Sequence, residues 1–233
     1  MRPINLSVKI LLESNNPEET EEILNLLGFL DGQIISQLTS PEGSDLVEDI
    51  AAVIPQSIII LPDESPSETP NTYITIPISR KGLRTANTLA KAGVYINLTN
   101  CLTLEQAAAV YSATRDAESN VLISGFSDTD LLINTQRLYA HSDKHVRILN
   151  SNITEYYDFL YSLYIRPDYV SASFEVLKKW TENKLIVPQE INELIFNDKT
   201  EHFKGIHNAS TTGITYKELD LGLEWTEFNV DIV

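Results

Sequence analysis

Arg80, Lys81 and Arg84 form the densest basic cluster of the chain. An amine attacks a carbonyl only after it has lost its proton, and burial or a cationic neighbour drives that proton off. Arg80 and Arg84 could supply the cationic neighbours for Lys81, so an amine nucleophile is one reading of the cluster. A site for a small anion is another. The plainer reading is a solvated helix start. His141 and His145 are four residues apart, a spacing that suits a metal, but no third ligand accompanies them. The intervening Ser142-Asp143-Lys144 reads as a turn, and no metal is expected. There is no Gly-x-Ser-x-Gly elbow for a nucleophilic serine and no glycine-rich loop for a phosphate, in a chain with nine glycines.

The whole-chain arithmetic narrows the partners. The 233 residues carry 17 basic and 33 acidic side chains, a net charge of −16. Nucleic acid needs a basic footprint, so it is an unsuitable partner, as is an anionic membrane surface. A hydrophobic content of 42% suffices for a core. A single cysteine, Cys101, excludes an intrachain disulfide framework and any multi-cysteine zinc site. The apolar runs are too short to span a bilayer, and Met1-Arg2-Pro3-Ile4-Asn5 does not open a signal peptide. A cytoplasmic protein is expected, with no cofactor.

The elements that must position these groups alternate along the chain. Val8–Leu12, Gln33–Ser36, Ser57–Leu61, Tyr73–Ile78, Val94–Thr99, Val121–Ser124, His145–Leu149 and Tyr169–Ala172 read as eight strands. Helices are expected from Pro17, where the apolar stripe is Ile23, Leu26, Leu27 and Leu30, and over Asp45–Val53. Further helices are expected over Lys81–Ala92, Ala107–Ala117, Leu131–Ala140, Tyr156–Leu163, Phe174–Asn183 and Pro188–Phe196. Thr103-Leu104-Glu105-Gln106 matches a capping box. Strand–helix alternation without a linker predicts a single (β/α)8 barrel over residues 1–205, followed by a tail, residues 206–233. Between strands three and four, Pro62, Pro66 and Pro70 forbid a continuous helix, so an extended loop should replace it there. The tail carries Leu219, Leu221, Leu223, Trp225 and Phe228, and should pack on this barrel or on a neighbour's.

Several segments in order carry a resemblance. They are Tyr73-Ile74-Thr75-Ile76-Pro77-Ile78-Ser79, Gly82-Leu83, Leu89-Ala90-Lys91-Ala92-Gly93-Val94, Asn97-Leu98-Thr99 and Gln106-Ala107. Leu12-Glu13-Ser14-Asn15-Asn16, Ser124-Gly125-Phe126, Asn150-Ser151 and His207 with Gly213 extend it over almost the whole chain. Together they resemble the short, single-domain branch of the transaldolase and fructose-6-phosphate aldolase family. The resemblance implies a (β/α)8 barrel, sugar chemistry through a Schiff-base lysine on the fourth strand, and rings of subunits with the C-terminal segment laid on a neighbour.

By that resemblance the lysine position holds Thr75, and a threonine cannot form an imine. Glu13 takes the place of the family's first-strand aspartate, with a longer arm. Ser36 falls in the second-strand motif, whose asparagine is missing. The third-strand polar group falls within Ile58–Ile60, and the two phosphate-binding basic positions fall near Thr129 and at Ile153. Thr99, Gln106, Phe126 and Ser151 remain at family site positions. Packing and capping alone would also account for them. Two functions follow as expectations. One is a transaldolase-like barrel that has lost its chemistry and serves in binding or assembly. The other is an active aldolase-type enzyme using Lys81 or another group. A small anionic or sugar-like ligand would meet Ser36, Ser151, Arg80 and Arg84. A homo-oligomer, in a ring, is expected. Glu13, placed beside Ile34 and Ile35, needs a hydrogen-bonding partner, for which Thr75 or Thr99 would serve, or access to water.

Overall fold

A computed structural model describes residues 8–13, 17–27, 34–37, 59–61, 72–189 and 216–230. Eight strands and six α-helices fall among the described residues. They are β1 Lys9–Glu13, α1 Pro17–Leu27, β2 Ile34–Gln37, β3 Ile59–Leu61, β4 Thr72–Pro77, α2 Arg80–Lys91, β5 Ile96–Thr99 and α3 Leu104–Ala113, then β6 Val121–Ile123, α4 Thr129–Tyr139, β7 Val146–Ile153, α5 Tyr156–Ile165, β8 Tyr169–Ser173 and α6 Phe174–Glu182. The protein is a parallel α/β fold, as the alternation predicts. The expected helix 45–53, the prolyl crossover 62–71, the helix beyond Gln189 and the His207–Gly213 entry lie outside the described residues. Pro188 and Gln189, expected to open that last helix, are not helical.

The chain forms two compact units, one of residues 1–75 and 149–194, the other of 76–148 and 195–233. In the first unit β1 pairs in parallel with β2 on one side and with β8 on the other, and β8 pairs with β7. β3 pairs in parallel with the start of β4. β1 buries Ile10, Leu11 and Leu12 in succession, and β8 buries Tyr169 to Ala172. Unbroken burial is the mark of parallel strands covered on both faces. Phe159 of α5 and Trp180 of α6 meet edge to face at 5.3 Å, and the Trp180 indole N–H donates to Ile186 O at 2.8 Å. In α1, Ile23 is fully buried, but Leu26 is 36% exposed, against the expected stripe. Three residues on, a helix has turned about 300°, which carries Leu26 to the edge of the buried face.

In the second unit β5, β6 and the start of β7 pair in parallel register: Ile96 with Val121, and Val121 with Val146. α2 starts where the Ser79 hydroxyl accepts the Gly82 N–H at 3.0 Å. It buries Gly82, Leu83, Ala86 and Ala90. Gly82 is required by close approach, because a Cβ there would lie 2.1 Å from Pro77 O. Small residues on both sides let α2 settle on the alanine-rich α3, and Asn87 Nδ2 donates across to Ala113 O at 2.6 Å. The strand expected from His145 begins at Val146 instead, because the His145 N–H donates to Asp143 Oδ1 at 3.1 Å. α3 ends at Ala113, short of the expected Ala117. Thr114 closes it, its hydroxyl donating to Val110 O at 2.8 Å.

The tail is not helical over residues 216–230 apart from one 3-10 turn, Trp225–Glu227. Side chains of α2 and α3, and Arg115 just beyond, hold it by its backbone carbonyls. Gln106 Nε2 donates to Val230 O at 2.9 Å, Ser112 Oγ to Leu223 O at 2.5 Å, Arg115 Nη2 to Leu221 O at 2.9 Å and to Leu223 O at 3.2 Å, and Arg80 Nη1 to Thr226 O at 3.5 Å. Of the apolar residues expected to bury, Phe228 does so at 4% exposure while Leu223 stays 38% exposed. Val230, at 1%, is the second anchor. A segment bound by its carbonyls needs few buried side chains, which is why the apolar count overstated its packing.

Candidate functional site

In the first unit the C-terminal end of β1 presents Glu13. Two donors converge on its Oε1: the Ser171 hydroxyl of β8, and the Asn152 backbone N–H of β7 at 2.7 Å. The strand expected to stop at Leu149 continues to Ile153 to make the second contact. Asn150 pairs with Val170 and Ile153 with Ala172, so β7 carries one extra residue, a bulge. Asn152 takes φ 63°, a left-handed conformation that asparagine tolerates better than most residues. The bulge turns its N–H toward the carboxylate. Asn150 is fixed from behind, its Nδ2 donating to Ser162 Oγ at 2.7 Å, and Ser162 donates in turn to Asp158 O at 2.8 Å.

The result is a carboxylate with one oxygen held by two donors, half-buried at the end of its strand. Oriented this way, Glu13 can accept from a ligand hydroxyl or take up a proton through Oε2. Its partners are not the Thr75 or Thr99 hydroxyls expected from the sequence, because Ser171 and the bulged backbone reach it first. Ser151 lies half-buried in the same bulge. Ser36 is the register neighbour of Leu12, one residue before Glu13. Thr75 is half-buried on β4. Ser171 and Asn152 were missed by reasoning from sequence. A serine inside the apolar run Tyr169-Val170-Ser171-Ala172 was the available signal for the first. Nothing in Asn150-Ser151-Asn152 announces a bulge.

In the second unit Thr99 ends β5 against the turn after β6. Its backbone carbonyl accepts the Ile78 N–H at 2.8 Å. Gly125, at φ 67°, sits so close that a Cβ would lie 2.7 Å from Thr99 Oγ1. Glycine is therefore demanded by both conformation and space. Ser124 Oγ donates to Asn97 Oδ1 at 2.9 Å in the buried layer behind. Phe126 follows, partly exposed. Gln106 is absorbed by structure. Its Oε1 accepts the Leu102 and Thr103 N–H groups at 2.7 and 3.2 Å, its own N–H goes to Thr103 Oγ1 at 3.2 Å, and its Nε2 holds the tail. Both ends of the capping box are thus in place, and the amide is spent on them and on Val230.

Arg80, Lys81 and Arg84 are exposed on the first turns of α2. Arg80 reaches the tail carbonyl of Thr226, and Lys81 is exposed to solvent. No described lysine is buried: Lys9, Lys81, Lys91, Lys144, Lys179, Lys184 and Lys217 are exposed, and Lys178 is partly so. Cys101 is buried, and burial pushes its thiol up to about 12, outweighing a smaller lowering from its backbone hydrogen bond with Thr103. His141 is exposed, whereas the His145 ring is turned to Asp143 and the end of α3, so the two do not converge. Among the described residues no group of three or more potential metal ligands comes together, and no helix is long and apolar enough to cross a membrane.

No curated protein matches the chain. A family model described as transaldolase/fructose-6-phosphate aldolase matches residues 19–222, most of the chain's length, from the third residue of α1 through α6. This chain therefore belongs to the transaldolase/fructose-6-phosphate aldolase family.

Proposed function

We propose that this chain is a transaldolase-like barrel that has lost Schiff-base aldol chemistry and serves as a binding or assembly protein. The observation that carries the reading is the set of lysine positions. An imine forms only on an amine, and the amine must be free of its proton at working pH. Thr75 stands on β4 where the resemblance asks for a lysine, and no described lysine is buried. Glu13, which the resemblance puts in place of the family's first-strand acid, is held at the end of β1 by Ser171 and Asn152. A fixed carboxylate accepts hydroxyl groups well, so a polyol or sugar-like ligand suits the site without any bond being broken. A cytoplasmic location and a homo-oligomer, built as a ring, belong to the same reading.

The test is retro-aldol cleavage of fructose 6-phosphate by the purified full-length chain. No turnover above the buffer rate is expected. Turnover that disappears in Lys81→Met would establish the competing reading, an aldolase with a relocated amine. Restoring an amine by Thr75→Lys should not give family-level activity. Orientation of the reacting groups is worth about 7–11 kcal/mol of barrier, and nothing at Thr129 or Ile153 holds a sugar phosphate.

A further inference from the structure

We propose, on the reading that the Glu13 site binds polyols, that its ligand carries an ammonium group beside its hydroxyls and that phosphorylated sugars are refused. The site is built around a carboxylate that no cation neutralises. Glu13 Oε1 accepts from the Ser171 hydroxyl and from the Asn152 N–H at 2.7 Å, and both donors are neutral. They fix the group in place and leave its net charge standing. Among the described residues no ion pair reaches Glu13, and no hydrogen bond reaches its Oε2.

A half-buried charge without a counter-ion is costly until a ligand supplies one. An ammonium group suits it, because it brings a full charge and three donors in one compact head. Charge-assisted hydrogen bonds are about twice as strong as neutral ones, so the nitrogen would outbid a hydroxyl for Oε2. A metal ion is less suited: among the described residues no three potential ligand side chains converge, and hard cations take several oxygens. Ser151, half-buried in the same bulge, and Ser173, the register neighbour of Glu13 on β8, are neutral hydroxyls for the rest of a polyol.

The charges around the site point the same way. β1, β2, β7 and β8 are parallel, so their C-terminal ends share one edge of the sheet. Glu13 ends β1 there, Glu155 and Glu175 follow β7 and β8 within two residues, and the first turn of α1 adds Glu18 and Glu19. The cations of this unit stand elsewhere. Lys9 opens β1 at the opposite edge, over the Tyr169 ring at 5.4 Å. Arg166 and Lys184 come after α5 and α6, which carry the chain back toward that opposite edge. Lys178 is held by Glu22 at 2.8 Å, and Lys179 lies over the Tyr156 ring at 5.1 Å. From Ile10 to Ser79 the sequence holds 13 acidic residues and no lysine, arginine or histidine. A phosphate approaching Glu13 is therefore repelled, and a cation is drawn in.

The experiment uses the full-length chain and three acyclic probes that share one carbon skeleton and hold no carbonyl: glucitol, 1-amino-1-deoxyglucitol and glucitol 6-phosphate. Saturation-transfer NMR titrations at neutral pH and low salt rank them. The amine is expected to bind about tenfold tighter than glucitol, and the phosphate about tenfold weaker than glucitol or not at all. Added salt should narrow both gaps and leave glucitol unchanged. Glu13→Gln keeps an acceptor for Ser171 and Asn152 and should bring the amine level with glucitol. Glu18→Gln, an exposed change in the same acidic surround, should keep the amine ahead. An amine that binds no tighter than glucitol, a phosphate that binds tightest, an advantage that survives Glu13→Gln, or one lost equally in Glu18→Gln overturns the inference while the polyol reading stands. Failure of all three probes to bind overturns both. Should Glu13→Gln fail to fold, the ranking of the probes and its salt dependence on the unaltered chain decide it.

Discussion

The Ser171 hydroxyl and the Asn152 backbone N–H share one oxygen of Glu13, the second at 2.7 Å. Ser171 is wholly buried, so its hydroxyl has no water to turn to. Hydrogen bonds to charged groups contribute about 1.5–3 kcal/mol. Ser171→Ala should destabilise the chain by that amount in urea unfolding. Glu13→Gln keeps an acceptor for both donors and should cost about 1 kcal/mol or less. A Ser171→Ala chain within 0.5 kcal/mol of the parent, roughly the scatter of a neutral surface change, would remove Glu13 from the centre of the site.

Gln106 separates two jobs that a single variant can distinguish. Gln106→Ala removes the capping box and leaves Val230 O unpaired, and should cost about 2 kcal/mol or more. Gln106→Glu keeps an acceptor for the Leu102 and Thr103 N–H groups but has no hydrogen for Val230. Limited proteolysis should then cut residues 216–230 faster while α3 stays intact. Equal cutting rates in Gln106→Glu and the parent would show that Phe228 and Val230 hold the tail unaided.

Cys101 should be inert in the folded chain. With burial holding its thiol at about 12, only about one molecule in ten thousand is the reactive thiolate at pH 8. Labelling by iodoacetamide at pH 8 should follow unfolding and reach completion only in denaturant. Stoichiometric labelling of the folded chain within minutes would contradict the burial.

For assembly, light scattering at 0.15 M salt should give a particle several times the 26.2 kDa chain. At that ionic strength charge repulsion is screened beyond about 8 Å, so a net charge of −16 does not forbid association. A monodisperse monomer would sink the ring.

The order of strands and helices was legible because hydrophobic runs and caps act locally. Thr103 and Gln106 announced the start of α3, and the structure shows the hydrogen bonds that their capping box predicts. What was not legible depended on contacts distant in sequence. The β7 bulge exists because Asn152 meets Glu13, 139 residues away, and no pattern within Asn150–Ile153 encodes that. Gln106 read as a cap more readily than as a site residue, but its hydrogen bond to Val230 O, 124 residues away, was not legible. The tail's apolar residues suggested side-chain packing, whereas donors on α2, α3 and Arg115 bind its carbonyls, which carry no sequence signature.

The central claim, a family barrel without a Schiff-base amine, is tested most directly by trapping. The full-length chain is incubated with fructose 6-phosphate or dihydroxyacetone, reduced with borohydride, and weighed intact by mass spectrometry. An imine reduced in place would survive as a stable secondary amine. The account predicts an unchanged mass with both compounds. A mass increase that maps to any lysine, Lys81 above all, would contradict it.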